Sequence, residues 1–443
     1  MVQAKQLELE RLFADPALSG ATPRSLTMAP DGSRVTYLKG KVEDANRLDL
    51  WEYHIQAAKH RLLVDADSLV SGAEVLSDEE KARRERMRLF ASGIISYSWA
   101  KNSDALLFPL NGDLYYYQLK TQAAKKLTNT AAFETDATIS PNGRYVAFIR
   151  EQNLFVLEIA TGKETQLTSD GGGEIKNGMA EFVAQEEMGR MTGYWWAPDD
   201  SKIAFTRTDE SGVAEVVRNE IYADEIKLFN QRYPYTGTAN AKIQLGVVSL
   251  ADGKVNWLPH GDNDDIYLPR VEWTKNARYL SYQWQSRDQH KLELRLVDLS
   301  SNKQKVLLTE TSDTWLNLHD DLHFLHDDKG FIWASERDGY KHLYYYDFNG
   351  KLQRQLTRGD WVVDELDAVN EKLGSVYFTA RKDTPLERHL YQVSLKDGNM
   401  RRLTEAGYDH ALVMAKDGSS FIDSFSNVST PNKVALRALD GKV

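Results

Sequence analysis

The sequence predicts an all-β fold, an eight-bladed β-propeller of four-stranded antiparallel blades with short helical insertions, on three observations. A five-residue phrase recurs eight times; each copy is followed by β-rich runs with alternating apolar positions; and several units close on a Leu-Thr pair. By length alone, 443 residues would suggest several domains, but a closed array of repeats can use that length in one unit. The expected organisation is one propeller domain over residues 1–443.

Taken in order, the phrase is an apolar or aromatic residue, a small residue and a turn. It appears as Met28-Ala29-Pro30-Asp31-Gly32, Trp99-Ala100-Lys101-Asn102-Ser103, Ile139-Ser140-Pro141-Asn142-Gly143 and Trp196-Ala197-Pro198-Asp199-Asp200. Weaker copies start at Trp273, His326, Asn370 and Ala415, the last reading Ala415-Lys416-Asp417-Gly418-Ser419. Proline presets φ, and Asp, Asn and Gly tolerate the left-handed geometry of a tight corner, so each phrase is a hairpin corner. Strands such as Arg144 to Ile149 and Asn153 to Leu157 follow. The closing pairs are Leu127-Thr128, Leu167-Thr168, Leu308-Thr309, Leu356-Thr357 and Leu403-Thr404. Trp195-Trp196 and Tyr344-Tyr345-Tyr346 are expected to pack the blades.

Two insertions interrupt this rhythm. From Ser77 to about Phe90, Ser77-Asp78-Glu79-Glu80 reads as a capping box leading into Lys81-Ala82-Arg83-Arg84-Glu85-Arg86-Met87-Arg88. Acid at its start and base at its end suit the helix dipole. The second, at about 177–190, contains Phe182-Val183-Ala184-Gln185-Glu186-Glu187-Met188 and reads as a short helix projecting from the scaffold. Function tends to reside in such additions, because blade residues are occupied with packing.

Composition bounds the chemistry. An apolar fraction of 42% supplies a core, and a net charge of −10 argues against a nucleic-acid partner while suiting cationic ligands. Without cysteine there is no disulfide, thiolate metal site or catalytic thiol. No run of about eighteen apolar residues indicates a membrane span, and no Gly-x-Ser-x-Gly nucleophile elbow occurs. No metal or cofactor is expected: His319-Asp320-Asp321 and His326-Asp327-Asp328 come nearest to a metal cluster and read as turns rich in solvated acids. Glu186 and Glu187 are adjacent carboxylates that repel unless a cation lies between them, which makes a receptor for an ammonium group; by spacing alone they also read as a solvated helix face. An arginine of the first helix could hold a carbonyl or carboxylate through its fork, or simply serve the basic last turn.

Asn177-Gly178, Phe182-Val183, Glu186-Glu187 and Tyr194-Trp195-Trp196-Ala197-Pro198-Asp199 resemble the double-glutamate segment and following blade of the dipeptidyl peptidase IV family. Tyr233-Pro234-Tyr235 and Ser335-Glu336-Arg337-Asp338-Gly339-Tyr340-Lys341-His342-Leu343-Tyr344 resemble it too, and the arginine helix is similar to that of bacterial-type members. The resemblance implies a serine peptidase that removes X-Pro or X-Ala dipeptides from free peptide N-termini, with the propeller capping a C-terminal α/β-hydrolase domain. It implies that Glu186 and Glu187 hold the α-ammonium and that an arginine, Arg84 with Arg83 and Arg86 as competitors, contacts the carbonyl of the first substrate residue. Ionised acids are required, so binding should weaken at low pH. The family's catalytic serine, aspartate and histidine belong to the hydrolase domain, which is expected beyond Val443, so this fragment alone is expected to be inactive. Its propeller Phe-Arg pair is not reproduced around Trp315-Leu316-Asn317-Leu318. The expected partners are a peptide with a free N-terminus, the hydrolase domain and, in the intact enzyme, a second copy; the expected location is periplasmic or secreted, with the cytoplasm as alternative. The alternatives in function are a free-standing interaction propeller and the propeller of a related prolyl or acylaminoacyl peptidase.

Overall fold

The computed structural model describes residues 7–14, 18, 20, 22–70, 72, 74, 76–261, 264–415 and 418–439. It is an all-β eight-bladed propeller with few helices. Seven sheets follow a path of four antiparallel strands and the eighth shows three, Asp409–Met414, Ser420–Asn427 and Thr430–Ala438. Contacts divide the chain into two compact units: Met1–Ala137 with Leu412–Asp423 and Val434–Val443, and Thr138–Ala411 with Ser424–Lys433.

All eight phrases fall between neighbouring strands of one sheet, and the fourth and fifth follow an extra short strand, Tyr194–Trp196 and Val271–Trp273; in the last, Lys416 and Asp417 lie outside the described residues, while Gly418 N–H donates to the Ala415 carbonyl at 2.8 Å. The corners also bind one another. In the first unit the Asp31 N–H donates to Ser103 Oγ at 2.9 Å. In the second, Asp200 accepts from Ser140 Oγ at 2.8 Å and from the Asn142 N–H at 2.9 Å. Asn276 Nδ2 donates to Asp328 at 2.9 Å, and the His326 N–H to Glu371 at 3.0 Å. The fold thus uses the turn residues twice, for local geometry and for registering neighbouring blades.

The Leu-Thr pairs have a specific task. Thr128, Thr168, Thr357 and Thr404 accept, through Oγ1, the N–H of Leu114, Leu154, Leu343 and Leu390 at 2.9 to 3.1 Å. The paired Leu127, Leu167, Leu356 and Leu403 each donate N–H to the carbonyl of that same leucine at 2.8 Å. Each clasp joins the start of one strand to the tail of the next, where a buried N–H would otherwise lack a partner. Leu308-Thr309 differs: both residues lie within the Lys303–Thr311 strand, opposite Leu294 and Glu293.

Blade packing follows strand alternation. In the first unit Leu38, Leu50, Leu106 and Phe108 share one cluster, while Met28 and Val35 pack with Ala415 and Ile422 of the eighth sheet. In the second, Ile149, Phe205 and Tyr194 form one cluster, with Trp196 against it, and Tyr282, Trp284 and Val297 lie in the next, with Trp195 against it. Tyr344 and Tyr346 are buried, as expected of blade-packing aromatics.

The interval between the fourth and fifth corners contains a two-stranded hairpin, Glu215–Ile221 and Ile226–Arg232, that the sequence reading did not anticipate. The His319-Asp320-Asp321 expectation is corrected: only Asp320 is exposed. Asp321 is buried, accepting from Lys341 Nζ at 2.9 Å and the Leu366 N–H at 2.7 Å. Its neighbour His319 packs edge-on against Trp333, and burial pushes its pKa down.

Candidate substrate-recognition site

The first candidate element is the helix Asp78–Arg86 in the first unit. Ser77 caps it, its Oγ accepting the Glu80 N–H at 3.2 Å. The reciprocal half of the expected capping box gives way to other bonds, because Glu80 accepts instead from Arg84 Nε at 2.9 Å and Thr135 Oγ1 at 2.8 Å. Arg84 is buried, and its two terminal nitrogens form a fork on Glu74, each at 2.8 Å. Burial alone would lower its pKa, but Glu74 and Glu80 more than offset this and hold the guanidinium charged. Three of its five N–H groups are thereby committed. Arg83 is held more loosely, its terminal nitrogens 3.7 Å from Glu80 and 3.9 Å from Asp136, and its Nε has no partner among the described residues.

The double-glutamate element lies in the second unit. Its helix is shorter than the sequence suggested, Phe182–Glu186 with Glu187 as the C-cap. It docks rather than simply projecting: Ala180, Ala184, Met188 and Val183 pack against Tyr267 and Leu318. Phe182 meets Tyr233 edge-on at 5.1 Å between ring centroids, which gives the Tyr233-Pro234-Tyr235 stretch a role in seating the helix. Below it, Arg190 and Glu181 form a buried ion pair at 3.0 Å, and Arg190 Nη1 donates to the Thr192 carbonyl at 2.8 Å. The returning chain passes so close that a Cβ at Gly193 would stand 2.5 Å from the Met179 backbone. Glycine is therefore required where the insertion closes on itself.

This support holds Glu186 and Glu187, both exposed, at the carboxyl end of the helix. Helix electrostatics favours cations there, yet the last turn carries no base and two acids. The placement concentrates negative potential in one spot, which suits a bound cation. Glu187 lines a cavity of about 520 Å³ together with Tyr267, Arg270, Gln285 and Trp315. Leu316, Asn317 and Leu318 belong to that wall as well, so the stretch that lacks the Phe-Arg pair borders the same cavity as Glu187. The loop is tied in place by the Leu316 N–H donating to the Gln289 carbonyl at 3.0 Å. Arg270 is itself paired with Asp320. Among the described residues no group of three or more His, Asp and Glu could hold a metal ion.

The family profile described as "Dipeptidyl peptidase IV (DPP IV) N-terminal region" matches residues 100–432. The chain belongs to this family. The dipeptidyl peptidase IV match contains both glutamates and the whole cavity wall, whereas the arginine helix precedes it. Human dipeptidyl peptidase 8 is 27% identical over 457 residues, covering 82% of this chain and 51% of the relative. Probable dipeptidyl-aminopeptidase B of Emericella nidulans is 25% identical, over 96% of this chain and 50% of the relative. The chain thus spans about half the length of these relatives. Among solved structures, Porphyromonas gingivalis dipeptidyl peptidase 4 superposes with a TM-score of 0.81 at 24% identity, over 98% of this chain and 60% of that one. A putative dipeptidyl aminopeptidase IV from Bacteroides ovatus gives 0.72 at 21%, over 95% and 59%. Both structural likenesses concern the propeller fold.

Sequence reasoning singled out the two glutamates but missed Gln285, Tyr267 and the Arg190–Glu181 strut. Nothing in the spacing of these residues marks them, because they meet only where separate blades face the helix.

Proposed function

We propose that this chain is the N-terminus-recognition propeller of a serine dipeptidyl peptidase that releases X-Pro and X-Ala dipeptides from peptides with a free amino end. The observation that carries the proposal is the pair Glu186 and Glu187 at the carboxyl end of a docked helix, with Glu187 on the wall of a cavity of about 520 Å³. Two acids anchored on a braced helix fix the substrate ammonium. Only the bond two residues along then reaches the nucleophile of a C-terminal hydrolase domain, and such positioning is worth several kcal/mol. A blocked N-terminus brings no ammonium to the acidic pair and is rejected. For the carbonyl of the first residue the family resemblance favours the arginine helix, with Arg84, which keeps two uncommitted N–H groups, as the candidate and Arg83 and Arg86 as its competitors.

The test is hydrolysis of a Gly-Pro chromogenic amide by the full-length protein. Glu186→Ala and Glu187→Ala should each lower kcat/KM by about ten- to a hundredfold, on the scale of a charge-assisted bond. Undiminished activity in both would reduce the acids to a solvated face. The present chain alone should show no turnover.

A homodimer of the intact enzyme belongs to the same proposal. Val217, Ile221, Ile226 and Leu228 are exposed along the hairpin of the second unit, and such an apolar ribbon supports self-association. Sedimentation of a Leu228→Asp, Ile226→Asp variant should show a shift toward monomer, and an unchanged mass would remove the hairpin from the dimer contact.

A further inference from the structure

One residue of the cavity wall has no structural explanation. Gln285 lies in the strand Tyr279–Ser286, where its backbone is paired between Tyr267 and Leu292. The residue is only 1% exposed, yet neither its Nε2 nor its Oε1 has a hydrogen-bond partner among the described residues. Leaving a buried donor or acceptor unsatisfied is destabilising, and an apolar side chain at this position would avoid both penalties. Packing alone therefore disfavours glutamine here. The adjacent Trp284 lies on the opposite face of the strand, where Arg295 covers it at 4.6 Å.

Gln285 shares the cavity wall with Glu187. If the glutamates hold the α-ammonium, the first side chain leaves the same Cα and must lie within a few ångströms of them, which puts it in this cavity. The wall there includes Gln285, whose buried, unpartnered amide carries a carbonyl oxygen and an N–H together. The complement of that pair is another carboxamide, whose N–H and C=O satisfy both atoms at once. We propose that Gln285 reads the first side chain of the substrate and gives the site a preference for N-terminal asparagine over its apolar isostere leucine. The inference rests on the dipeptidyl peptidase reading and adds a selectivity to it. A site built around hydrogen-bonding groups rejects the analogue that leaves them unpaired.

The experiment compares Asn-Pro, Leu-Pro and Gly-Pro chromogenic amides on the full-length protein and on Gln285→Met. Wild type should favour Asn-Pro over Leu-Pro by about tenfold or more in kcat/KM, as expected for one or two satisfied bonds. Gln285→Met should bring that ratio to about one or below and keep or raise Tm, because the unpartnered amide is gone. A purely structural glutamine would instead lower Tm and leave the ratio alone. Equal cleavage of Asn-Pro and Leu-Pro by wild type, or a ratio that the substitution does not change, overturns the proposal and leaves an amide satisfied by water. Failure to cleave even Gly-Pro would count against the peptidase reading itself. Calorimetric titration of the Asn-Pro and Leu-Pro dipeptides then decides the role of Gln285: tighter Asn-Pro binding that Gln285→Met abolishes supports it, and equal or absent binding overturns it.

Discussion

At the scale of single residues, chemistry is set by what each side chain is forced to face. Glu186 and Glu187 are unusual only in where they sit, at the negative end of a helix. Asp367 is unusual in what surrounds it: burial, with Glu365 and Asp321 nearby, pushes its carboxyl up to about 8. A carboxyl with a raised folded pKa binds its proton more tightly folded than unfolded, so its contribution is fully present below about pH 4 and is lost as pH rises toward 8. Asp367→Asn should therefore leave Tm nearly unchanged at pH 4 and raise it at pH 8.5 by about 2 °C or more. Thermal melts at the two pH values check this, and an equal shift at both would show that the proton is not involved.

At the scale of elements, the arginine helix and the Leu-Thr clasps make opposite uses of polar side chains. Arg84 is a strut: removing it leaves Glu74 and Glu80 buried without their shared partner, and breaking buried pairs of this kind costs about 3 to 5 kcal/mol. Arg84→Met should lower stability on that scale in denaturant titrations, whereas Arg83→Met should cost under about 1 kcal/mol. If Arg83→Met nevertheless raises KM for Gly-Pro amides, the carbonyl contact belongs to Arg83; a rise confined to Arg84→Met at a temperature where it stays folded assigns it to Arg84. The clasps are neutral. Thr357→Val strips the Leu343 N–H of its acceptor and should cost about 1 to 3 kcal/mol. The equivalent change at Thr309, which makes no such clasp, should cost less. The clasp was legible as a recurring Leu-Thr pair, but its partner was not, because the accepted N–H lies about fourteen residues upstream.

At the scale of the whole molecule, a net charge of −10 adds a long-range field to the local acids. Capture of peptides with a free ammonium should weaken with salt, so kcat/KM for a Gly-Pro amide should fall severalfold between about 0.05 and 0.5 M NaCl. A flat response would confine the electrostatics to the two glutamates. The sequence by itself determined the propeller, because hairpin corners and strand alternation are local: the conformations of Pro, Asp, Asn and Gly are dictated within a few residues, and eight repetitions leave little freedom in how the strands pair. It also singled out Glu186 and Glu187 as adjacent acids in a helical insertion. Only the tertiary structure decided that their helix is braced by Tyr267 and Leu318, that Arg84 spends most of its fork on Glu74 and Glu80, and that a buried Gln285 faces the same cavity as Glu187. The bracing and the shared cavity depend on contacts between residues about eighty to more than a hundred positions apart, set by how blades pack, which no short stretch of sequence encodes; the Arg84 partners are only four and ten residues away, but which of several nearby acids the fork takes is decided by how the helix is buried.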